Sequence, residues 1–369
     1  MKGGAVSLEH VTGPGVGNGV EVLLYKGSFH NRPIFPVVSV LCTILLVLAI
    51  TGPLSGQSKY AGEPFSRGVG ARGLAMGSAF SSVAQGASSI YWNPAGISTA
   101  PGREFMAMHS ESFGGEVDYD YLGYVQPISP EPEGSAFGVG VLRLGVSGFQ
   151  VTALPDSAQP VGPNNRPYVV DTFSVADFAV LFGYSKGLNE GLRLGGNVKV
   201  LHRSLYTESA TGFGFDFGLL YAPVSLSPIQ IGVSAQDLTT TFLAYSTGKH
   251  ERIRPTLRVG ASTARGIHLW NGSFIVATDI VFRFEDRGAG VDNFAFGAVS
   301  GTYHIGGEYR IDSEHLMGLD LALRGGLDEE VPSVGAGVGF GRFRFDYAWL
   351  GKVDDDLGTS NRISMAVSL

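Results

Sequence analysis

Phe343-Arg344-Phe345-Asp346-Tyr347-Ala348-Trp349 places four aromatics at alternate positions, with Arg, Asp and Ala between them. Successive side chains of an extended chain point to opposite faces, so this segment reads as a strand with one aromatic face and one polar or small face. An amphipathic helix would repeat every 3.6 residues, and no long segment here does so. Working outward, the same period of two recurs. Phe213, Phe215, Phe217, Leu219 and Tyr221 oppose Gly214, Asp216 and Gly218. Leu194, Val198 and Val200 oppose Arg193, Asn197 and Lys199; Ile229, Ile231, Val233 and Ala235 oppose Gln230, Gly232, Ser234 and Gln236. Tyr303, Ile305, Tyr309 and Ile311 oppose His304, Gly306, Glu308 and Arg310. Leu319, Leu321 and Leu323 oppose Asp320, Ala322 and Arg324, and the chain ends on Ile363, Met365, Val367 and Leu369 against Ser364, Ala366 and Ser368.

Read this way, Glu104 to Leu369 holds about fourteen strands, with roughly nineteen residues for each strand and its connection, against the roughly 9–11 that a membrane-spanning strand needs. Two long loops are expected, Phe149–Asp171 with its four prolines and Thr241–Arg254. A soluble pair of β-sandwiches also alternates, with its apolar face inward. Three features favour lipid on the outside. The polar face is built from Gly, Ser, Asp and Arg rather than the Lys, Thr and Glu of a water-exposed sheet. Aromatics fall near strand ends on the apolar face, at Tyr221, Phe284, Tyr303 and Trp349, as in an interfacial girdle. An export signal precedes the strands. Lipid offers no partner to an unpaired backbone, so the strands must close, and the expected fold is an all-β, transmembrane antiparallel β-barrel.

Composition agrees. The 369 residues include 54 Gly and only 16 % charged residues, with 44 % hydrophobic and a net charge of −7. Glycine this frequent argues against a mostly helical chain, and the apolar content argues against disorder. The absence of a basic stripe argues against nucleic acid as a partner. Pro36 to Ile50 is an uncharged apolar run preceded by Lys26, His30 and Arg32 and followed by Gly52-Pro53-Leu54-Ser55-Gly56, the pattern of a signal peptide cleaved near Gly56. The single cysteine, Cys42, lies inside that run. The expected organisation is an N-terminal extension with signal peptide (1–56), a hatch (57–103) and the barrel (104–369).

The hatch expectation rests on Ala61–Thr99, which is rich in Gly, Ala and Ser and does not alternate. A barrel of about fourteen strands is too wide for its own side chains to fill, so it holds water or a plug. Gly68-Val69-Gly70-Ala71-Arg72-Gly73 has dinucleotide-loop spacing but lies in no βαβ unit, so it marks no nucleotide site. Asn93-Pro94 is a turn signal whose amide can bond the local backbone. Gly214, Gly218, Gly232, Gly306, Gly335, Gly337 and Gly339 fall on the lumen face, where they would leave room for the plug. So do charges of both signs: Arg193, Lys199, Asp216, Arg258, Asp279, Arg283, Glu308, Arg310, Asp320, Arg324, Arg344 and Asp346. They are expected to bridge one another across the wall, or else to anchor the hatch or select a solute; as a set they argue against a greasy ligand path.

Arg72-Gly73-Leu74-Ala75-Met76-Gly77-Ser78-Ala79 followed by Tyr91-Trp92-Asn93-Pro94-Ala95-Gly96-Ile97 resembles the N-terminal hatch of the PorV/PorQ family, within the superfamily of the fatty-acid transporter FadL. Gly307-Glu308-Tyr309-Arg310, Leu323-Arg324-Gly325-Gly326, Asp346-Tyr347-Ala348 and Leu357–Ser364 continue the resemblance in order. It implies an outer-membrane location in a Gram-negative-type bacterium and hatch or gating roles for Arg72, Met76, Gly77, Tyr91, Trp92, Asn93, Pro94, Ala95 and Gly96. It also implies service in type IX secretion, with secretion components or exported proteins as partners. The FadL-like alternative is a hatch-gated channel with a lateral opening for hydrophobic small molecules, its ligand pocket expected beside Trp92. No catalytic motif is present, no cofactor or metal is implied, and Asp354-Asp355-Asp356 before Gly358 reads as a solvated turn rather than a Ca²⁺ loop.

Overall fold

Among the described residues, the alternating segments form seventeen strands in one antiparallel sheet. In chain order they are β1 Glu104–Ser112, β2 Val117–Ser129, β3 Ser135–Ala153, β4 Tyr168–Asn189, β5 Leu192–Ser204, β6 Ser209–Tyr221, β7 Ile229–Gln236, β8 Thr241–Tyr245 and β9 His250–Ile253. There follow β10 Thr256–Ile267, β11 Gly272–Arg283, β12 Phe294–Phe296, β13 Val299–Ile311, β14 Leu319–Asp328, β15 Val331–Phe340, β16 Phe343–Leu350 and β17 Ser360–Ser368. The structure is a computed structural model describing residues 63–112, 115–129, 134–223, 227–267, 272–284, 293–296, 299–311, 318–351 and 359–369. The expected extension and signal peptide, Cys42 and the Asp354–Asp356 turn lie outside the described residues.

Neighbouring strands pair in sequence, except that β7 passes to β10 and β11 to β13; β17 then returns to β1, with Glu104 opposite Ser368. The wall is therefore a closed barrel of fourteen strands. The three remaining strands are additions to it: the β8–β9 hairpin pairs with the upper part of β6, and β12 with β13. Two loop expectations are corrected here. Thr241–Arg254 is largely this hairpin, because Thr241, Leu243 and Ile253 alternate inward and Gly248, at φ +82°, makes the turn. Phe149–Asp171 shrinks to 154–167, because β3 and β4 run to 19 and 22 residues, well beyond the roughly 9–11 that cross a bilayer.

The barrel is apolar outside and polar inside. Leu323, Phe213 and Ile363 are 62 %, 61 % and 60 % exposed on the outer face, while Asp279 and Glu308 are fully buried on the inner face. Such a distribution suits hydrocarbon as the outer solvent. Residues 63–100 run into the lumen as short helices, Ala71–Ala75 and Ser89–Trp92, with 3-10 turns at Glu63–Phe65, Gly86–Ser88 and Pro94–Thr99. Their core is Leu74, Met76, Phe80, Ile90, Trp92 and Ile97, all essentially inaccessible. The chain leaves this hatch for β1 at the end of the barrel where Leu369 N donates to Arg103 O at 2.8 Å; we call it the terminal end.

Leu323→Arg sets a charge in the outer apolar belt and should lower the folding free energy in phosphatidylcholine vesicles by about 2 kcal/mol. A urea titration followed by tryptophan fluorescence reads the change, and a soluble barrel would tolerate it with little loss.

Candidate functional site

Turns such as Leu74 N to Gly70 O and Asn93 N to Ser89 O satisfy part of the hatch backbone internally, and the remaining buried polar groups need partners from the wall. Asp279 Oδ2 accepts from Phe80 N at 3.1 Å and Ser81 N at 2.9 Å, while Oδ1 accepts from the Ser81 hydroxyl at 2.9 Å. Glu104 Oε1 accepts from Ala87 N at 2.7 Å. Ser333 Oγ accepts from Gly77 N at 3.1 Å and donates to Ala75 O at 3.2 Å. Asn197 donates to Ile90 O at 2.6 Å, Gln236 to Tyr91 O at 2.9 Å and Tyr121 to Ala87 O at 2.6 Å.

Arg72 carries the main charged link. Its Nε and Nη2 donate to Glu308 Oε2 and Oε1 at 2.8 and 2.9 Å, a two-pronged contact between planar groups. Burial alone would lower the Arg72 pKa, but the Glu308 carboxylate more than offsets this and raises it. Glu308 also meets Arg324 Nε at 2.6 Å and Arg310 Nε at 2.8 Å. Arg324 continues to Asp346 at 2.8 Å, and Arg344 approaches Asp346 at 3.5 Å. A second link is Arg258, which donates to Ser78 O at 2.8 Å, lies 3.4 Å from Asp279 and stacks over the Trp92 ring.

The remaining expected hatch residues lie in the same interface. Asn93 Oδ1 caps the following turn by accepting from Ala95 N at 3.1 Å, with Pro94 in its first turn. Asn93 Nδ2 also ties Ser81 O to Leu219 O of β6, at 2.9 and 3.0 Å. Ala95 O accepts from Ser185 at 2.7 Å, Gly96 packs against the Ala84 carbonyl, and Met76 is fully buried. Gly77, at φ +60°, presses on β13 and β14: a Cβ there would stand 2.5 Å from Leu327 N and O.

Not every lumen residue serves the hatch. Gly218, Gly232, Gly306 and Gly335 abut hatch atoms, as expected. Gly214, Gly337 and Gly339 instead abut Lys199 and Thr241, Asp346 and Arg324, and Asp320 respectively, so they make room for wall charges. Arg193 reaches the hatch at Ser98 (3.3 Å), whereas Lys199 pairs with Asp216 at 2.9 Å and Asp237 at 2.7 Å. Arg283 bonds Thr302 at 3.2 Å and approaches Glu329 at 3.6 Å. Asp320 is exposed at the start of β14.

The lumen is not polar throughout. Leu142, Ala179, Leu181, Leu201, Leu243 and Ile253 point inward and are buried, forming an apolar stripe across β3, β4, β5, β8 and β9. Between this stripe and Tyr91 of the hatch lies a cavity of about 80 Å³, lined on its other sides by Lys199, Asp216, Gln236, Asp237, Arg252 and Arg283. This corrects two expectations. The cavity adjoins Tyr91, not Trp92, whose ring is sealed in the hatch core and whose Nε1 donates to Val69 O at 2.7 Å. A greasy lining exists beside the charged one. Period-two reading passed over it because Ala179-Val180-Leu181-Phe182 is apolar on both faces; loss of alternation was the available signal. The cavity also sits where the wall partner of β6 changes from β7 to β8, the pairing with β7 covering only Phe217–Tyr221.

Glu308→Gln leaves Arg72 and two wall arginines facing a neutral amide. Breaking a buried pair in this way should weaken hatch docking by about 3 kcal/mol. Planar-bilayer recording should show longer-lived open events than wild type, and heat-shifted gel mobility checks that the barrel still folds.

No protein-family model and no curated protein matches the sequence. Several solved structures do match in fold. The Pseudomonas putida toluene transporter TodX aligns with a TM-score of 0.52 at 17 % identity, covering 82 % of this chain and 97 % of that one. The Ralstonia pickettii toluene transporter TbuX aligns at 0.47 and 12 %, covering 82 % and 98 %. A Pseudomonas aeruginosa FadL homologue aligns at 0.46 and 10 %, covering 81 % and 97 %.

Proposed function

We propose that a barrel sharing the fold of the TodX toluene transporter works as a hatch-gated channel for hydrophobic small molecules in the outer membrane, its terminal end facing the periplasm. The cavity between Tyr91 and the apolar stripe carries this reading. Apolar solutes gain by leaving water for the surface of Leu142, Leu181, Leu201 and Ile253, which form one side of a cavity whose other side is charged. The hatch lies below this cavity, held by wall contacts that can be exchanged as it moves. Passage then requires rearrangement around Tyr91 and the Arg72–Glu308 link, which makes the nine hatch residues gating elements through position rather than chemistry. No step is catalytic.

The secretion role implied by the PorV/PorQ resemblance draws no support from these neighbours. Co-purification of a translocon, or of cargo bearing a C-terminal signal, would favour it over the channel.

The channel reading is tested by toluene uptake into proteoliposomes. Leu181→Trp fills the cavity from the wall and should cut the uptake rate at least about fivefold with the barrel still folded, since overpacking costs far less than the fold is worth. Uptake by wild type no faster than by protein-free vesicles overturns the reading.

A further inference from the structure

Two neighbouring rows of lumen side chains on β17, β1 and β2 behave differently. In the lower row every polar group meets the hatch. Ser364 Oγ accepts from Ala71 N at 3.2 Å, Met108 Sδ accepts from Gly70 N at 3.0 Å, and Tyr121 Oη donates to Ala87 O. Two residues further along each strand, toward the far end, stand Arg362, Ser110 and Tyr119. They are direct cross-strand partners, Ser110 opposite both Arg362 and Tyr119. All three are buried, at 4 %, 2 % and 1 % exposure. Yet, among the described residues, Arg362 Nε and Nη1, Ser110 Oγ and Tyr119 Oη have no hydrogen-bond partner.

Among the described residues the other buried lumen cations are neutralised by carboxylates, Lys199 by Asp216 and Asp237 and Arg324 by Glu308, and Arg362 has no such partner. Its guanidinium lies 5.8 Å from the Tyr119 ring centroid, a contact that compensates a buried charge only in part. A second cation, Arg67, stands at the start of the hatch, close enough for its charge to act on both Arg362 and Tyr119. Orphaned buried donors around an uncompensated cation call for an anionic acceptor. A guanidinium flanked by two hydroxyls suits an acceptor with several oxygens sharing one charge.

We propose that Arg362, Tyr119 and Ser110 form an oxyanion site directly above the hatch, taking a carboxylate or phosphate group. The site does not rest on the channel reading. It involves other strands than the Tyr91 cavity and survives if toluene uptake fails. Since its neighbouring row holds Gly70 and Ala71, an anion bound there abuts the hatch where it turns into the lumen.

The purified barrel is titrated with sodium phosphate and, separately, sodium octanoate, each against sodium chloride of equal ionic strength, while heat unfolding is followed. The midpoint should rise saturably by about 3 °C or more with at least one oxyanion. A rise with both marks a site for free oxyanions, and a rise with octanoate alone marks the carboxylate end of an amphipath. Arg362→Met should abolish the rise while unfolding no lower than wild type in chloride, because it removes an uncompensated buried charge. Tyr119→Phe, which deletes only the hydroxyl, should weaken saturation several-fold and provides the readout if Arg362→Met does not fold. No rise with either oxyanion, or an equal rise in Arg362→Met or Tyr119→Phe, overturns the proposal.

Discussion

A hatch with so little regular structure cannot satisfy its own backbone, and the lumen around it offers little else than side chains. This constraint governs the rest of the protein. Each bare N–H and C=O between Val69 and Ala95 needs a partner, because a buried polar group left unpaired costs more than an ordinary hydrogen bond returns. The wall supplies them from separate strands: Asp279 on β11, Glu104 on β1, Ser333 on β15, Ser185 on β4, Asn197 on β5 and Gln236 on β7. The hatch is held like a substrate, by side chains gathered from around the ring.

The same constraint explains why the lumen is polar in one sector and apolar in another. Where hatch backbone touches wall, the wall is charged, hydroxylated or reduced to glycine, as at Gly306 and Gly326 against Met76–Gly77. Where the hatch retreats, between Tyr91 and β3–β5, no backbone needs a partner and the wall turns to Leu142, Leu181 and Leu201. Retention of the plug and the apolar lining of the cavity are therefore properties of different levels of the same strands, since β4 and β5 hold the hatch through Ser185 and Asn197 and line the cavity through Leu181 and Leu201. The row of Arg362, Ser110 and Tyr119 does neither, since it is polar and yet unmet by the hatch.

Much of this was legible in the residue order. Period-two alternation gave the strands and their faces, and the wall does contain fourteen. Small residues around Arg72–Ala79 and the Asn93-Pro94 turn pointed to a compact insert, and Asn93 caps its turn as expected. Thr241–Arg254 reads as a loop in the sequence because two strands of five and four residues are too short to establish a period. The apolar lumen stripe leaves only a loss of alternation as its trace, because a strand apolar on both faces does not say which face is inside.

By itself the sequence determined that the chain forms an antiparallel barrel with a plug, because periodicity and small-residue content are local properties. It also determined which side chains face inward, since a strand's parity cannot change without turning its whole face over. Only the tertiary structure decided which inward groups meet. Arg72 and Glu308 are 236 positions apart, and their pairing depends on how far the hatch penetrates and on the register of β13. The position of the cavity at Tyr91 and the unmet donors of Arg362 follow from the same placement. Which lumen groups are satisfied is set by the path of the hatch through the barrel, and no local pattern encodes that path.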